Sequence, residues 1–91
     1  MPINEKALRM LIDAAAVKRA RVVANGAVFH VEIDAPGRSF IVETGKGAVR
    51  TWRSIDAVAK WLKGLGVGSA GLELARWQPG QKSLLGRGLG I

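Results

Sequence analysis

The side chains that most often carry out catalysis are few in this chain and stand apart along it. Its 91 residues include one histidine, no cysteine and seven acidic residues, which occur singly. General acid–base catalysis needs titratable groups placed together. His30 has no partner at metal-ligand spacing, and we expect it on the outer face of a strand. The sequence predicts no catalytic residue, no metal site and no cofactor, unless the fold assembles groups that are distant in sequence.

One glycine-rich stretch, Gly66 to Gly71, matches the pattern G-x-G-x-x-G. In dinucleotide-binding proteins this pattern follows a strand, opens a helix and is followed by an acidic residue about 20 positions later. Here a predicted helix precedes it, a predicted strand follows it, and no acid stands at that distance. We therefore interpret it as an ordinary turn. The chain also has no P-loop motif.

Basic residues cluster along the chain, and the formal net charge is +7. The groups are Lys18 with Arg19 and Arg21, Arg50 with Arg53, and Lys60 with Lys63. Such an excess attracts polyanions, either nucleic acid or an acidic protein surface. The alternative is a solvated basic surface with no specific partner. The candidates for nucleic-acid binding are Lys18, Arg19, Arg21 and Lys63.

Three tryptophans accompany these charges. Trp52 stands next to Arg53, and Trp77 next to Arg76. Trp61 falls at the edge of the apolar stripe of a predicted helix. It either closes the core or remains half-exposed as an anchor for a partner, since tryptophan is enriched at binding hot spots.

The apolar spacing predicts the elements that position these side chains. Asn4 is expected to cap a helix that runs to about Lys18, and Ser54 to cap a second helix that ends at Gly64. Between them, residues alternate with a period of two, which predicts strands. The predicted strands begin at Arg19 and then cover 27–33, 39–44, 48–52 and 70–77, with a two-residue hairpin at Asn25-Gly26.

The predicted fold is a single small α+β domain over residues 1–77. It has an antiparallel sheet of about five strands and two helices, in the order α-β-β-β-β-α-β. Residues 78–91 are rich in glycine and basic, which is typical of a flexible tail, although Leu84, Leu85, Leu89 and Ile91 could dock on the domain or on another molecule. So small a core folds with little margin, and a partner or self-association would help it.

No apolar run approaches the roughly 20 residues that span a bilayer. The polar N-terminus, with Glu5 and Lys6, is unlike a signal peptide. We expect a cytoplasmic protein that makes no membrane contact.

Residues 49–66, VRTWRSIDAVAKWLKGLG, resemble the small ParC-type partition-associated proteins, which are encoded beside a ParA-type ATPase on plasmids and integrating elements. The pattern is a basic and aromatic strand, then Ser-Ile-Asp opening a helix, then Leu-Lys-Gly-Leu-Gly closing it. The stretch LELARW at 72–77 resembles the final strand of those proteins, and the glycine-rich tail has no counterpart. The resemblance implies a non-enzymatic accessory that binds the ATPase and helps it act on DNA.

Three functions remain open. The first is this accessory role in partition, with partner contacts at Arg50, Trp52, Arg53, Lys60 and Trp61 and with Arg87 of the tail reaching toward the nucleotide of the ATPase. The second is direct DNA binding by the basic surface. The third is a structural module that forms a homodimer through an exposed edge strand.

Overall fold

The computed structural model describes residues 1–78, which form an α+β domain of five strands and two helices. The elements are β1 (Pro2–Ile3), α1 (Glu5–Asp13), β2 (Arg19–Gly26), β3 (Val28–Ala35), β4 (Arg38–Val42), α2 (Ile55–Gly64) and β5 (Gly71–Trp77). The fold class, the number of strands and the two helices predicted from the sequence are confirmed. Except for Gln78, the predicted tail lies outside the described residues.

The sheet is mixed, not purely antiparallel as expected. Its strand order is β1-β4-β3-β2-β5, with antiparallel pairs in the centre. Both edge strands run parallel to their neighbours, β1 to β4 and β5 to β2. Parallel strands need a connection that crosses the sheet, and α1 and α2 lie in the connections to β2 and β5.

The prediction of a strand at 48–52 is wrong, because this segment does not form a regular strand. That segment makes two isolated bridges, Val49 with Glu43 and Trp52 with Phe29. β4 pairs only with the second half of β3, from Glu32 onward, so the first half of β3 is open to Trp52. A two-residue strand that the pattern did not predict, β1, pairs with the end of β4.

Helix and turn boundaries differ from the predicted ones by a few residues. Asn4 and Ser54 cap α1 and α2 as predicted, each accepting a hydrogen bond from the backbone three residues later. α1 ends before Ala15, which has a φ of 55°, and not near Lys18. The hairpin loop is Gly26 and Ala27, one residue later than predicted, because Asn25 pairs with Val28 and only Gly26 has a positive φ.

Both helices pack on one face of the sheet. Alternate residues of β3, Phe29, Val31 and Ile33, are buried there as the period-two pattern predicted. Leu8 of α1 and Val58 of α2 are fully buried in the same core. The opposite face of the sheet carries the alternate polar residues of β2 and β3 and has no helix among the described residues.

Candidate interaction site

Arg50, Trp52 and Trp61, three of the residues predicted to contact a partner, lie together. The centroids of the two indole rings are 4.9 Å apart, with their planes inclined by 46°. The Arg50 guanidinium carbon lies 5.1 Å from the centroid of Trp52 and 5.0 Å from that of Trp61. These distances are within the range of aromatic pairs and cation–π contacts, so the three side chains stabilise one another.

Glu5 joins this group from the first turn of α1. Its Oε1 accepts hydrogen bonds from Trp61 Nε1 at 3.1 Å and from Arg50 Nη1 at 3.2 Å. Its Oε2 accepts from Arg9, with Nη2 at 3.0 Å. The Trp61 hydrogen bond, followed by those from the arginines, lowers the pKa of the Glu5 carboxyl. Glu5, Arg50, Trp52 and Trp61 are called the tryptophan cluster below.

Local structure explains how each member of the cluster is positioned. The Asn4 cap places Glu5 at the start of α1. Trp52 exchanges two backbone hydrogen bonds with Phe29, at 2.8 and 2.9 Å, which fix it beside β3. Trp61 lies three residues after the buried Val58, on one flank of the apolar stripe of α2. It is therefore half-buried, and its indole packs against the core while remaining partly accessible.

The remaining predicted partner contacts are not part of the cluster. Arg53 precedes the cap of α2, and Lys60 stands on α2 next to Trp61; both are exposed. Neither forms an ion pair within residues 1–78. Arg87 lies outside the described residues.

Of the four residues predicted to bind nucleic acid, Arg19 and Arg21 share a partner, since their Nε atoms lie 3.4 and 2.9 Å from Asp34 Oδ2. Lys18 and Arg19 are exposed and line a cavity of about 380 Å³ together with the glycine loop 66–71. Lys63 lies on α2, beside a different groove. Arg21 is only 15% exposed in its side chain and is held by carboxylates on the outer face of the sheet.

Arg21 is the centre of an ion-pair network on that outer face. It binds Asp34 through two hydrogen bonds, Nε to Oδ2 at 2.9 Å and Nη2 to Oδ1 at 3.0 Å. It also contacts Glu32 Oε1 at 2.9 Å and Glu73 Oε2 at 3.1 Å. Because three carboxylates surround its guanidinium, the charged Arg21 side chain can lie largely covered on the outer face of the sheet.

The network also contains a histidine and a serine, two residue types that occur beside carboxylates in catalytic sites. His30 Nε2 lies 2.8 Å from Glu32 Oε2, and Ser39 Oγ donates to Asp34 Oδ1 at 2.7 Å. Arg21 and then Ser39 lower the pKa of Asp34 to about 2, while His30 and Arg21 lower the pKa of Glu32. Carboxylates that stay ionised and weakly basic at neutral pH are poor general bases, so this arrangement favours a stabilising role.

The part of the chain that the structure describes contains neither a metal-binding group of side chains nor a membrane-spanning helix. Within residues 1–78, no three or more of the histidine and acidic side chains are grouped so as to hold a metal ion. No helix in the same range is both long enough and apolar enough to cross a bilayer.

Glu5 is the member of the cluster that the sequence did not reveal. In the sequence it is the acid that follows the predicted cap Asn4, a position in the first helical turn that favours a carboxylate on any helix. Arg50 and Trp61 follow it by 45 and 56 residues, and no local pattern connects positions so far apart.

The chain matches no protein-family model, no curated protein and no solved structure.

Proposed function

We propose that this chain is a non-enzymatic accessory protein of DNA partition that binds a ParA-type ATPase in the cytoplasm. The observation that supports it most is the tryptophan cluster. Residues 49–66 carry the resemblance to ParC-type proteins, and Arg50, Trp52 and Trp61 from this stretch meet on one surface. A partly exposed group of aromatic and arginine side chains that contact one another is typical of a binding hot spot.

Within this surface, the cluster and the neighbouring charges have different roles. Arg50 and the two tryptophans hold one another, and so they present a shape that loses little side-chain freedom on binding. Arg53 and Lys60 are exposed and form no ion pair within residues 1–78, so their charges are available to an acidic face of the ATPase. The net charge of +7 would also accelerate the encounter with such a face.

The first test is capture of the ATPase by the tagged chain, with nuclease present. The purified ATPase is then titrated with the chain, and both its affinity and its ATP turnover are measured. Arg53→Glu and Lys60→Glu reverse exposed charges beside the cluster without removing a core contact. We expect each to weaken binding, whereas Lys46→Glu, the same charge change in the turn 45–47, leaves the affinity unchanged.

Equal affinities for all three variants would show that the surface around the cluster does not contact the ATPase. Loss of all captured protein after nuclease treatment would argue against a direct protein partner.

The contribution of Arg87 is a separate part of the proposal. An arginine supplied in trans stabilises charge on a transferring phosphoryl group. Arg87→Ala should therefore lower the stimulation of ATP turnover and leave the affinity nearly unchanged.

Direct DNA binding is the second candidate, and the position of Lys18 and Arg19 favours it. Both residues line one cavity with residues 66–71, so a phosphate there would meet Lys18 and also Arg19, whose Nε lies 3.4 Å from Asp34 Oδ2. The affinity for duplex DNA should then fall with salt, with a log–log slope of about −0.9 per phosphate neutralised. Lys18→Gln with Arg19→Gln should reduce that slope. An unchanged slope would contradict this site, and no binding at low salt would contradict the function.

A further inference from the structure

β5 is an unusually accessible edge of the sheet. Within residues 1–78 it pairs with β2 on one side only, and six of its seven residues are exposed. Edge strands present a row of backbone donors and acceptors to any second strand. Proteins that stay monomeric protect such edges with short strands, proline, charged side chains or bulges. β5 has seven residues and no proline, and the bulge and the charges that it carries suit pairing with a second copy of the same strand.

An apolar groove accompanies this edge on the core face. α2 lies over the centre of the sheet and leaves β5 uncovered, which forms a groove of about 400 Å³ between them. Ile55 of α2 is 37% exposed, Leu72 is 47% exposed and Leu74 is 42% exposed. They are half of the six large hydrophobic side chains that are exposed in residues 1–78. Such a concentration beside an open edge marks an interaction surface.

A bulge gives β5 an uncommon arrangement of its side chains. Glu73 pairs with Val23, but Arg76 pairs with Asn25, so β5 has one more residue than β2 over this stretch. In a regular strand, residues three apart point to opposite faces. Because of the bulge, Glu73 and Arg76 share the outer face. Leu72 and Trp77 share the core face, opposite Val22 and Gly26.

We propose that β5 pairs antiparallel with β5 of a second copy of this chain, about a two-fold axis between Leu74 and Ala75. In this register Glu73 of each copy lies opposite Arg76 of the other, and Leu72 lies opposite Trp77. Both kinds of pair are favourable across neighbouring strands, and each occurs twice. The two five-stranded sheets become one continuous sheet, and the groove of each copy, which Leu72 lines, lies beside Trp77 of the other copy.

The second copy is favoured as the occupant because the edge is complementary to itself. A symmetric antiparallel pair needs each residue and its opposite residue to share a face, since a C2 interface uses the same patch twice. Without the bulge, Glu73 and Arg76 could not satisfy this condition. Both copies carry the same net positive charge, but the repulsion between them is screened at an ionic strength of about 0.15 M, where the Debye length is about 8 Å. The proposal does not depend on the ATPase or on DNA.

The test is the molar mass of the 91-residue chain over a micromolar concentration series, by sedimentation equilibrium at that ionic strength. We expect a monomer–dimer equilibrium. Arg76→Glu sets one carboxylate opposite each Glu73, which creates two repulsive pairs in the dimer, and should raise the dimer Kd by about tenfold or more. The double variant Glu73→Lys with Arg76→Glu reverses both charges and should restore much of the affinity. Lys46→Glu, an equal charge change away from β5, is the matched control.

Leu72→Ser provides a test that does not involve the Arg21 network. It should weaken the dimer, while Val49→Ser, at a similarly exposed apolar position away from β5, should not. Hydrogen exchange should slow at the β5 amides as the concentration rises. A chain that stays monomeric throughout the series would overturn the proposal. A dimer that responds to neither Arg76→Glu nor Leu72→Ser would place the interface elsewhere and overturn it as well.

Discussion

Replacing Arg21 by methionine tests whether charge or packing holds the outer face of the sheet. Methionine keeps an unbranched apolar stem of similar length but removes the guanidinium. The four contacts at 2.9 to 3.1 Å with Asp34, Glu32 and Glu73 are then lost. Glu32 and Asp34 on β3 and Glu73 on β5 then lose their shared cation, and within residues 1–78 only Asp34 keeps an arginine partner, Arg19 at 3.4 Å.

The exposure of these groups sets the size of the effect. Exposed ion pairs contribute about 0.2–1 kcal/mol, and removing one partner of a fully buried pair costs about 3–5 kcal/mol. Arg21 is 15% exposed, but its partners are 23% to 48% exposed. We therefore expect Arg21→Met to lower the free energy of unfolding by about 2 kcal/mol at pH 7. For a domain of this size that corresponds to a fall in Tm of roughly 10 °C.

The pH dependence separates the two explanations. Asp34 has its pKa lowered from 3.8 to about 2, mainly by Arg21, and the pKa of Glu32 is lowered as well. A carboxyl whose folded pKa is depressed adds stability above its unfolded pKa, and this is lost as the pH falls through the folded pKa. The advantage of the wild type over Arg21→Met should therefore shrink between about pH 4 and about pH 2.

The assay is urea unfolding followed by tryptophan fluorescence, at several pH values from 7 to about 2.5, in parallel for both proteins. Arg38→Met is the control, because Arg38 is an exposed arginine on β4 whose only side-chain hydrogen bond in residues 1–78 is to Met1 Sδ at 3.8 Å. It should change stability by less than about 0.5 kcal/mol. If Arg21→Met costs the same at pH 7 and at about pH 2.5, the loss comes from packing and the electrostatic reasoning is refuted.

Further predictions concern the tryptophan cluster and the end of α2. Trp61→Phe keeps an aromatic ring beside Trp52 but removes the hydrogen bond to Glu5. It should lower the free energy of unfolding, measured by thermal unfolding, by about 1 kcal/mol. An unchanged Tm would show that this hydrogen bond is not stabilising. Gly66→Ala places a side chain at a φ of +93° and should destabilise by about 1 kcal/mol, whereas Gly64→Ala, in the last turn of α2 with open space around its Cβ, should stabilise by up to about 1 kcal/mol. Destabilisation by both glycine variants would contradict this assignment of the left-handed position.

Much of the local structure could be predicted from the sequence because it depends on residues a few positions apart. The alternation of Phe29, Val31 and Ile33 identified the buried face of β3. Asn4 and Ser54 were recognisable as caps, since their side chains bond to the backbone three residues later. Arg50, Trp52 and Trp61 are three of the six residues that the sequence predicted to contact a partner; that role stays a prediction, and their contact with one another was not predicted.

Strand order was decided by tertiary structure, since parallel and antiparallel neighbours both satisfy a period of two. The pattern suggested a fourth strand at 48–52, but β4 leaves β3 early and that segment is confined to two bridges. The short β1 has too few residues to show any period. Its pairing depends on Met1 and Ile3 accepting hydrogen bonds from Ile41 and Glu43.

The roles of the charged residues were also decided by the fold. From the sequence, Arg21 was one of several cations that could meet a phosphate, and Glu5 was an acid at a helix start. The structure surrounds Arg21 with carboxylates from β3 and β5, and it brings Glu5 against residues 45 and 56 positions away. Composition and local spacing determine the net charge, the helices and the buried faces. Which charges are neutralised and which remain available depends on contacts between distant segments, which only the packing of helices and strands establishes.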